Sequence, residues 1–342
     1  MMVTSKSINR FLWLPIVALI LSSCIKEDND DCITEIRIDY SYNILNSNAF
    51  GEQVDEVTLF IFDEQGVLQR TVHEKGKHVQ SNNFTFKLSN LPTGKYQFVS
   101  WAQNNALTNE GANFSFPPLI DGKSTLSELK ATLQRIENNK TFNSDLNNLL
   151  VGYVPTRLTD KATHNQVIIP AKKVNNNIRI ILIDQSEKEI TTNDFKVRIE
   201  EKTGNGIVDY NYNVTSDGPI TYTPFYYEKT TPREGEFRHN NPNEQFNAVA
   251  AEFGFSRIME NHDIRLIIEN EAGEEVLDKN LLDILNLLKK EGHISKEMTF
   301  QEYLDRNDQF AITLYVSGDT STWLQTVVII NGWVINIVDI DL

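Results

Sequence analysis

Val57-Thr58-Leu59-Phe60-Ile61-Phe62 runs directly into Asp63-Glu64-Gln65-Gly66, and Val67 to Val72 follows. A short, nearly continuous apolar run ended by a turn reads as a strand buried on both faces. The acidic tetrapeptide closing on glycine is a tight turn, and the next run returns as a second strand. Upstream, Ile36, Ile38, Tyr40 and Tyr42 alternate with Arg37, Asp39 and Ser41, the pattern of a half-buried strand. Downstream, Phe84, Phe86 and Leu88 alternate, Leu91-Pro92-Thr93-Gly94 makes a turn, and Tyr96 to Trp101 continues as a strand.

The same grammar governs the second half. Ile178–Ile183, Ile264–Ile268, Ile312–Val316 and Val327–Ile330 read as buried strands. Val208, Tyr210, Tyr212 and Val214 alternate with Asp209, Asn211 and Asn213, which predicts one further strand. Thr230 to Asn243 holds Pro232, Gly235 and Pro242 among polar residues and reads as an exposed loop. Helices are few. Leu126, Leu129, Leu133 and Ile136 share one helical face behind a Thr125/Glu128 capping box, which predicts a connecting helix. Leu281–Leu288 reads as a short apolar helix ended by Gly292, and Thr299 with Glu302 starts another running through Asp305. No repeat of 20–50 residues is present. Many short strands with few helices predict a mainly β chain of two β-sandwiches. The polar stretch from Pro155 to Asn165 marks the boundary, giving one sandwich over 33–160 and another over 161–342.

Residues 1–32 have a different character. Lys6 and Arg10 precede the apolar run Phe11–Leu21, which is too short to span a bilayer and fits a signal peptide. Leu21-Ser22-Ser23-Cys24 then forms a lipobox, with cleavage between Ser23 and Cys24. The Cys24 thiol is the nucleophile that takes the diacylglyceryl group, and the small residues admit the peptidase. Each buried CH₂ is worth about 0.8 kcal/mol, and two or more acyl chains anchor stably where one does not. Residues 1–23 are thus expected to be removed, leaving 24–32 as an acidic linker behind the lipid. Within it, Lys26, Glu27, Asp28, Asp30 and Asp31 resemble the export signal of surface-exposed lipoproteins in Bacteroides-type bacteria.

Charge and motif content exclude several chemistries. The formal charge is -15, and loss of Lys6 and Arg10 with the signal peptide makes the mature chain more acidic still. That field repels a phosphate backbone, so nucleic acid is not an expected partner. Of two cysteines, lipidation consumes Cys24 and leaves Cys32 without an intrachain partner, so no disulfide framework or zinc cluster is expected. His73, His78, His164, His239, His262 and His293 show no metal-ligand spacing and read as surface or turn residues. No nucleophile elbow occurs, and Gly204-Asn205-Gly206 is a turn rather than a phosphate loop. A glycosidase pair among 47 acidic residues is not identifiable from sequence. No catalytic, cofactor or metal residue is therefore assigned, no small-molecule substrate is expected, and the chain is read as a non-enzyme. Tyr222, Phe225, Tyr226 and Tyr227 have two readings, a carbohydrate-stacking platform or a strand end packed on the core.

Taken in order, several short motifs resemble the FimB-like family of fimbrial anchor and minor subunits, from the type V pili of Bacteroides-type bacteria. They are Cys24 with Asp30-Asp31-Cys32, Leu59-Phe60-Ile61-Phe62-Asp63 with Gly66, and Leu91-Pro92-Thr93-Gly94-Lys95-Tyr96 leading to Val99-Ser100-Trp101-Ala102. The second half adds Arg257-Ile258-Met259, Arg265-Leu266, Gln301-Glu302-Tyr303-Leu304-Asp305-Arg306 and Ile330-Asn331-Gly332-Trp333. The resemblance covers nearly all of the mature chain. It implies two tandem transthyretin-like sandwiches and a lipid-anchored place in the outer membrane at the base of a fimbrium. It also implies that other fimbrial subunits are partners, joined by strand complementation. In such pili the stalk subunits are cleaved after a basic residue; Arg37 is the residue where that cleavage would fall here, whereas anchors keep the segment. The chain ends on the strand begun by Trp333 with no tail to donate, so it is expected to receive a partner strand. A surface lipoprotein that binds glycans or host molecules outside any fimbrium is the alternative.

Overall fold

The computed structural model describes residues 33–104, 113–136, 138, 140–159, 165–184, 190–231, 247–291, 295–316, 323–330 and 333–337. The chain is mainly β, as its alternation predicts. The first strands are β1 (Ile33–Asp39), β2 (Glu56–Asp63), β3 (Leu68–Lys75), β4 (Thr85–Ser89), β5 (Gly94–Gln103), β6 (Phe114–Ser115), β7 (Lys130–Leu133), β8 (Thr141–Phe142), β9 (Leu149–Leu158) and β10 (Asn165–Lys173). Next come β11 (Asn175–Asp184), β12 (Phe195–Glu201), β13 (Ile207–Asp209), β14 (Val214–Thr215), β15 (Ile220–Tyr222), β16 (Tyr226–Thr230), β17 (Ala248–Ser256), β18 (Ile264–Asn270) and β19 (Glu275–Asn280). The series closes with β20 (Gln309–Val316), β21 (Trp323–Ile330) and β22 (Trp333–Ile337). Helices are short: α1 (Phe50–Gln53), α2 (Leu281–Glu291) and α3 (Phe300–Arg306).

The first sheet runs β3-β2-β5-β9-β10-β1-β4. It doubles over at β10, which pairs in parallel with β1 through Asn165–Pro170 and antiparallel with β9 through Ala171–Lys173. Ile36, Ile38 and Phe86 from one limb thereby share a core with Val57, Leu59, Ile61 and Phe98 from the other. Phe62, Val99, Trp101 and Val151 point the opposite way, into a second core, with Phe60 packed against it. Within Val57–Phe62 the residues Val57, Leu59, Ile61 and Phe62 are buried, while Thr58 and Phe60 on the second face are half-buried.

The second core lies between two more sheets, β16-β17-β11-β20-β21-β22 and β19-β18-β12-β15-β8. Ile178, Ile180, Phe253 and Ile312 meet Ile199, Tyr222, Leu266 and Ile268 there. A small sheet, β14-β13-β7-β6, adjoins it. Strands β7 and β8 precede residue 160, yet they pair with β13 and β15, and β6 pairs with β7. Conversely β10, beyond residue 160, completes the first sheet. The chain changes from one sheet system to the other after Lys173, so the 160/161 division falls between two neighbouring strands of one sheet.

Two local readings are corrected. The helix expected over Leu126–Ile136 is only a 3₁₀ turn, Leu126–Glu128, followed by β7. Its capping box does form: the Thr125 N–H donates to Glu128 Oε1 at 3.0 Å. Beyond it Leu129, Ala131 and Leu133 are buried while Lys130 and Thr132 are not, a period of two. Flanking strands β6 and β13 satisfy that backbone on both sides. The strand expected over Val208–Val214 is instead a hairpin. Asp209 accepts from the N–H groups of Asn211 and Asn213, at 2.8 and 2.9 Å, and reverses the chain with Tyr212 at φ 66°. Just before the Leu91–Gly94 turn, Asn90 takes the left-handed region at φ 61°. The helix at Leu281 and the cap at Thr299 are as predicted: Thr299 Oγ1 accepts from the Glu302 N–H at 3.1 Å.

Gly152 sits on β9 where β5 and β10 crowd it. A Cβ there would lie 2.5 Å from Ser100 Oγ and 2.7 Å from Ile169 Cγ2. Gly152→Ala should therefore cost about 1–3 kcal/mol, read as a lower urea midpoint with an unchanged slope.

Candidate functional site

A polar cluster lies where the two sheet systems meet, and it is built from motif residues far apart in sequence. Arg257 leaves the end of β17 and Asp305 sits on α3. The guanidinium grips the carboxylate as a fork, Nε to Oδ1 at 3.0 Å and Nη2 to Oδ1 and Oδ2 at 2.8 Å each. Both residues are buried. Arg257 Nη1 also donates to the Tyr212 carbonyl, so the left-handed tip of the β13–β14 hairpin is held by the same group. Gln301, one turn before Asp305, donates to Asp305 Oδ1 at 2.9 Å and to the Ile258 carbonyl at 3.0 Å.

Residues of the first sheet close this cluster. Lys172 on β10 reaches Asp305 Oδ2 at 3.5 Å and lies over the Tyr42 and Tyr212 rings, 4.5 and 4.9 Å from their centroids. Arg306 stacks on the other side of the contact, 4.1 Å from the Tyr42 centroid. It donates to Asn46 Oδ1 at 2.9 Å and is oriented by Glu302 at 2.8 Å. Next door, Lys173 bonds Asp308 and approaches Gln53 of α1 at 3.4 Å. Burial, then Asp305 and Glu302, raise the Tyr42 hydroxyl above its ordinary pKa, with Arg306 and Arg257 pulling the other way. Every strong donor here meets an acceptor from another element, so the cluster works as a latch.

A second cluster surrounds Glu201, whose side chain is fully enclosed. It accepts from His262 Nδ1 at 2.8 Å, from the Thr203 N–H at 3.2 Å and from the Gly204 N–H. Gly204 turns at φ 95°, and a Cβ there would lie 2.6 Å from the Gly218 backbone. Asn205 then bridges Tyr222 Oη, at 2.7 Å, to the Arg257 carbonyl, at 3.1 Å. Burial raises the Glu201 carboxyl, while the bonds from Gly204 and His262 lower it. The enclosed Glu201 carboxylate holds the Thr203–Gly204 turn and the His262 ring together.

The aromatic group at Tyr222–Tyr227 is not an open platform. Tyr222 is wholly buried, stacked 4.0 Å from Phe255, and burial raises its hydroxyl pKa. Tyr227 donates to the Phe195 carbonyl at 2.7 Å, and burial pushes its hydroxyl up to about 12. Two of the four rings thus belong to the core. The lipidation and export residues Ser23, Cys24, Lys26, Glu27, Asp28, Asp30 and Asp31 lie outside the described residues, as does most of the Thr230–Asn243 loop. Among the described residues no His, Cys, Asp and Glu cluster suits a metal ion, and no helix is long and apolar enough to cross a membrane.

Sequence reading missed one surface feature. Phe60, Thr71, Pro117, Leu119, Ile120 and Asp121 line an open groove of about 580 Å³ against the face of β2 and β3. Phe116 stands beside it, 5.0 Å from Trp101, and Ile120 is 56% exposed. The signal was Phe116-Pro117-Pro118-Leu119-Ile120, an apolar run directly after β6 that its two prolines keep out of the sheet.

A family model described as fimbrillin-A associated anchor proteins Mfa1 and Mfa2 matches residues 29–339. No curated protein matches the chain in sequence. Among solved structures, a Bacteroides thetaiotaomicron protein provisionally described as polysaccharide-binding is 27% identical. It has a TM-score of 0.71, over 90% of this chain and 99% of that one. A provisionally described adhesin of the same species is 25% identical, TM-score 0.73, over 89% and 97%. The fimbrial anchor protein Mfa2 of Porphyromonas gingivalis shares the fold at 14% identity, TM-score 0.61, over 89% and 98%.

Two outcomes are expected for the polar clusters. Asp305→Ala leaves a buried guanidinium unpaired and should cost about 3–5 kcal/mol, with much of the loss recovered in Arg257→Met/Asp305→Ala; equal losses in denaturant melts would refute the latch. The native Glu201 carboxyl keeps its proton to higher pH than in the unfolded chain, where 4.5 applies. The native state then binds more protons, so this contribution to stability falls as pH rises above that value. Glu201→Gln should flatten the decline of melting temperature toward neutral pH.

Proposed function

The chain belongs to the family of fimbrillin-A associated anchor proteins Mfa1 and Mfa2, and on that premise we propose that it is a lipid-anchored anchor or minor subunit of a surface fimbrium. Cys24 carries the lipid, the acidic segment from Lys26 to Asp31 directs export to the outer face of the outer membrane, and other fimbrial subunits join by strand complementation. The protein acts as a fixture rather than a catalyst. The observation that carries this reading is the family match across 311 positions, 29–339, together with a lipobox immediately before it.

The placement of β1 supports the anchor role. β1 is paired on both sides, with β10 and with β4. A tether leading from Cys24 into β1 therefore loads an interior strand, and pulling on it must break two ladders at once. Arg37 has an exposed side chain, but its backbone lies within both pairings, opposite Ile168 and Thr85. That protects the segment from the cleavage expected of stalk subunits.

Cys24→Ala should abolish palmitate labelling and membrane association; a variant that stays labelled refutes the anchor site. Deletion of the gene should release fimbriae into the medium or change their length, and attached fimbriae of normal length would refute the anchoring role. The provisional polysaccharide-binding description of the 27% identical structure favours a second reading, a glycan-binding surface lipoprotein. That reading requires the full chain to bind members of a glycan panel, and uniform failure to bind rejects it.

A further inference from the structure

We propose that the free edge of β3 is the docking site for an extended acidic segment of a partner fimbrial subunit, and that the adjoining Phe60–Ile120 groove takes one apolar side chain of that segment. The inference rests on the reading of the chain as a fimbrial subunit and names the edge that such a subunit would use.

Three independent observations converge on this edge. First, β3 is paired with β2 alone among the described residues. At eight residues it is longer than β4, β6, β8, β14, β16 and β19, the other outer strands whose side chains are described. Eight residues span about 27 Å, enough for a strand to add along it. The segment before Thr125 already models such an addition. It closes on the start of β3, the Leu68 N–H donating to the Ser124 carbonyl at 2.8 Å and the Gly122 N–H to the Leu68 carbonyl at 2.7 Å. Beyond Leu68 that cover stops.

Second, the groove begins where the cover stops. Thr71, on β3, faces Phe60 across the ladder, and both line the groove with Leu119 and Ile120. An incoming strand thus meets open backbone and an apolar pocket together. This is the combination by which added strands gain affinity from main-chain bonds and specificity from side-chain pockets.

Third, the charge on this edge is opposite to that of the chain. Residues 69–78 hold Arg70, Lys75 and Lys77 against one carboxylate, Glu74, and the adjoining groove adds one more, Asp121, in a protein of net charge -15. Lys75 is partly answered by Glu56 at 3.1 Å; Arg70 and Lys77 have no ion-pair partner among the described residues. Cations on an edge strand repel a second copy of the same edge, which blunts self-pairing. They leave an acidic segment as the complementary occupant. A basic or neutral segment forfeits that attraction.

The test uses the full-length lipoprotein in cells bearing its own fimbriae. A deletion strain is complemented with the wild type, with Arg70→Glu/Lys75→Glu/Lys77→Glu, or with Lys87→Glu on the β4 edge as control. Three exposed pairs of modest strength sum to about a tenfold effect. The triple variant should therefore reach the surface in normal amount and shed about tenfold more fimbriae than wild type, while the control retains them. A photo-cross-linker at Thr71 in the otherwise wild-type chain should join a fimbrial subunit, and one at Lys87 should not; this arm holds even if the triple variant folds poorly. If the deletion strain sheds fimbriae but the folded triple variant holds them, or if cross-links form only at Lys87, the β3 site is wrong and the anchor reading survives. A deletion strain that sheds nothing overturns both.

Discussion

Asp305 cannot be buried unless Arg257 is there to meet it. A carboxylate removed from water costs several kcal/mol unless charge and hydrogen bonds replace its hydration, and here the guanidinium fork, Gln301 and Lys172 supply them. Those donors come from the end of β17, from α3 and from β10. Satisfying one carboxylate therefore fixes the angle of α3, the tip of the hairpin at Tyr212 and the last strand of the first sheet. The cation–π contacts of Lys172 and Arg306 on Tyr42 extend the same constraint to the loop that follows β1. The two sheet systems consequently share a junction whose parts are geometrically interdependent, and Phe62, Trp101 and Val151 carry apolar packing through it.

In a family of fimbrial anchor proteins this is an economical use of charged residues. The clusters that look most like chemistry, Arg257–Asp305 and Glu201–His262, are enclosed and answered by protein groups, so they hold backbone in place. Among the described residues, the outer strands leave one row of backbone groups without a ladder partner. An all-β chain that keeps edges must protect them from its own copies while offering one to a proper partner, and sign of charge separates those two cases.

Much of the strand content was legible from period-two alternation and from buried apolar runs, because each such strand feels mainly the sheet beneath it. Leu126–Ile136 and Val208–Val214 were not legible, for different reasons. Leucines at 126, 129 and 133 satisfy a helical face, yet 129, 131 and 133 equally satisfy a strand face, and only the open ladders of β6 and β13 decide between them. In Val208–Val214 the tyrosines alternate as in a strand, but Asp209 captures two backbone N–H groups and turns the chain. The motif pair Arg257-Ile258-Met259 and Gln301–Arg306 was visible as a resemblance. That its members form one latch was not, because 48 positions separate Arg257 from Asp305.

By itself the sequence determined the mainly β class of the protein, through short strands set by local alternation and through buried apolar runs. Both are properties of neighbouring residues. The tertiary structure alone decided that β6 to β8 join the later sheets, that β10 belongs with the first sheet, and that the edge of β3 lies beside an apolar groove. Those outcomes depend on which distant strands satisfy one another's backbone bonds and on where a buried charge finds its counterion. Neither quantity is carried by any single stretch of chain.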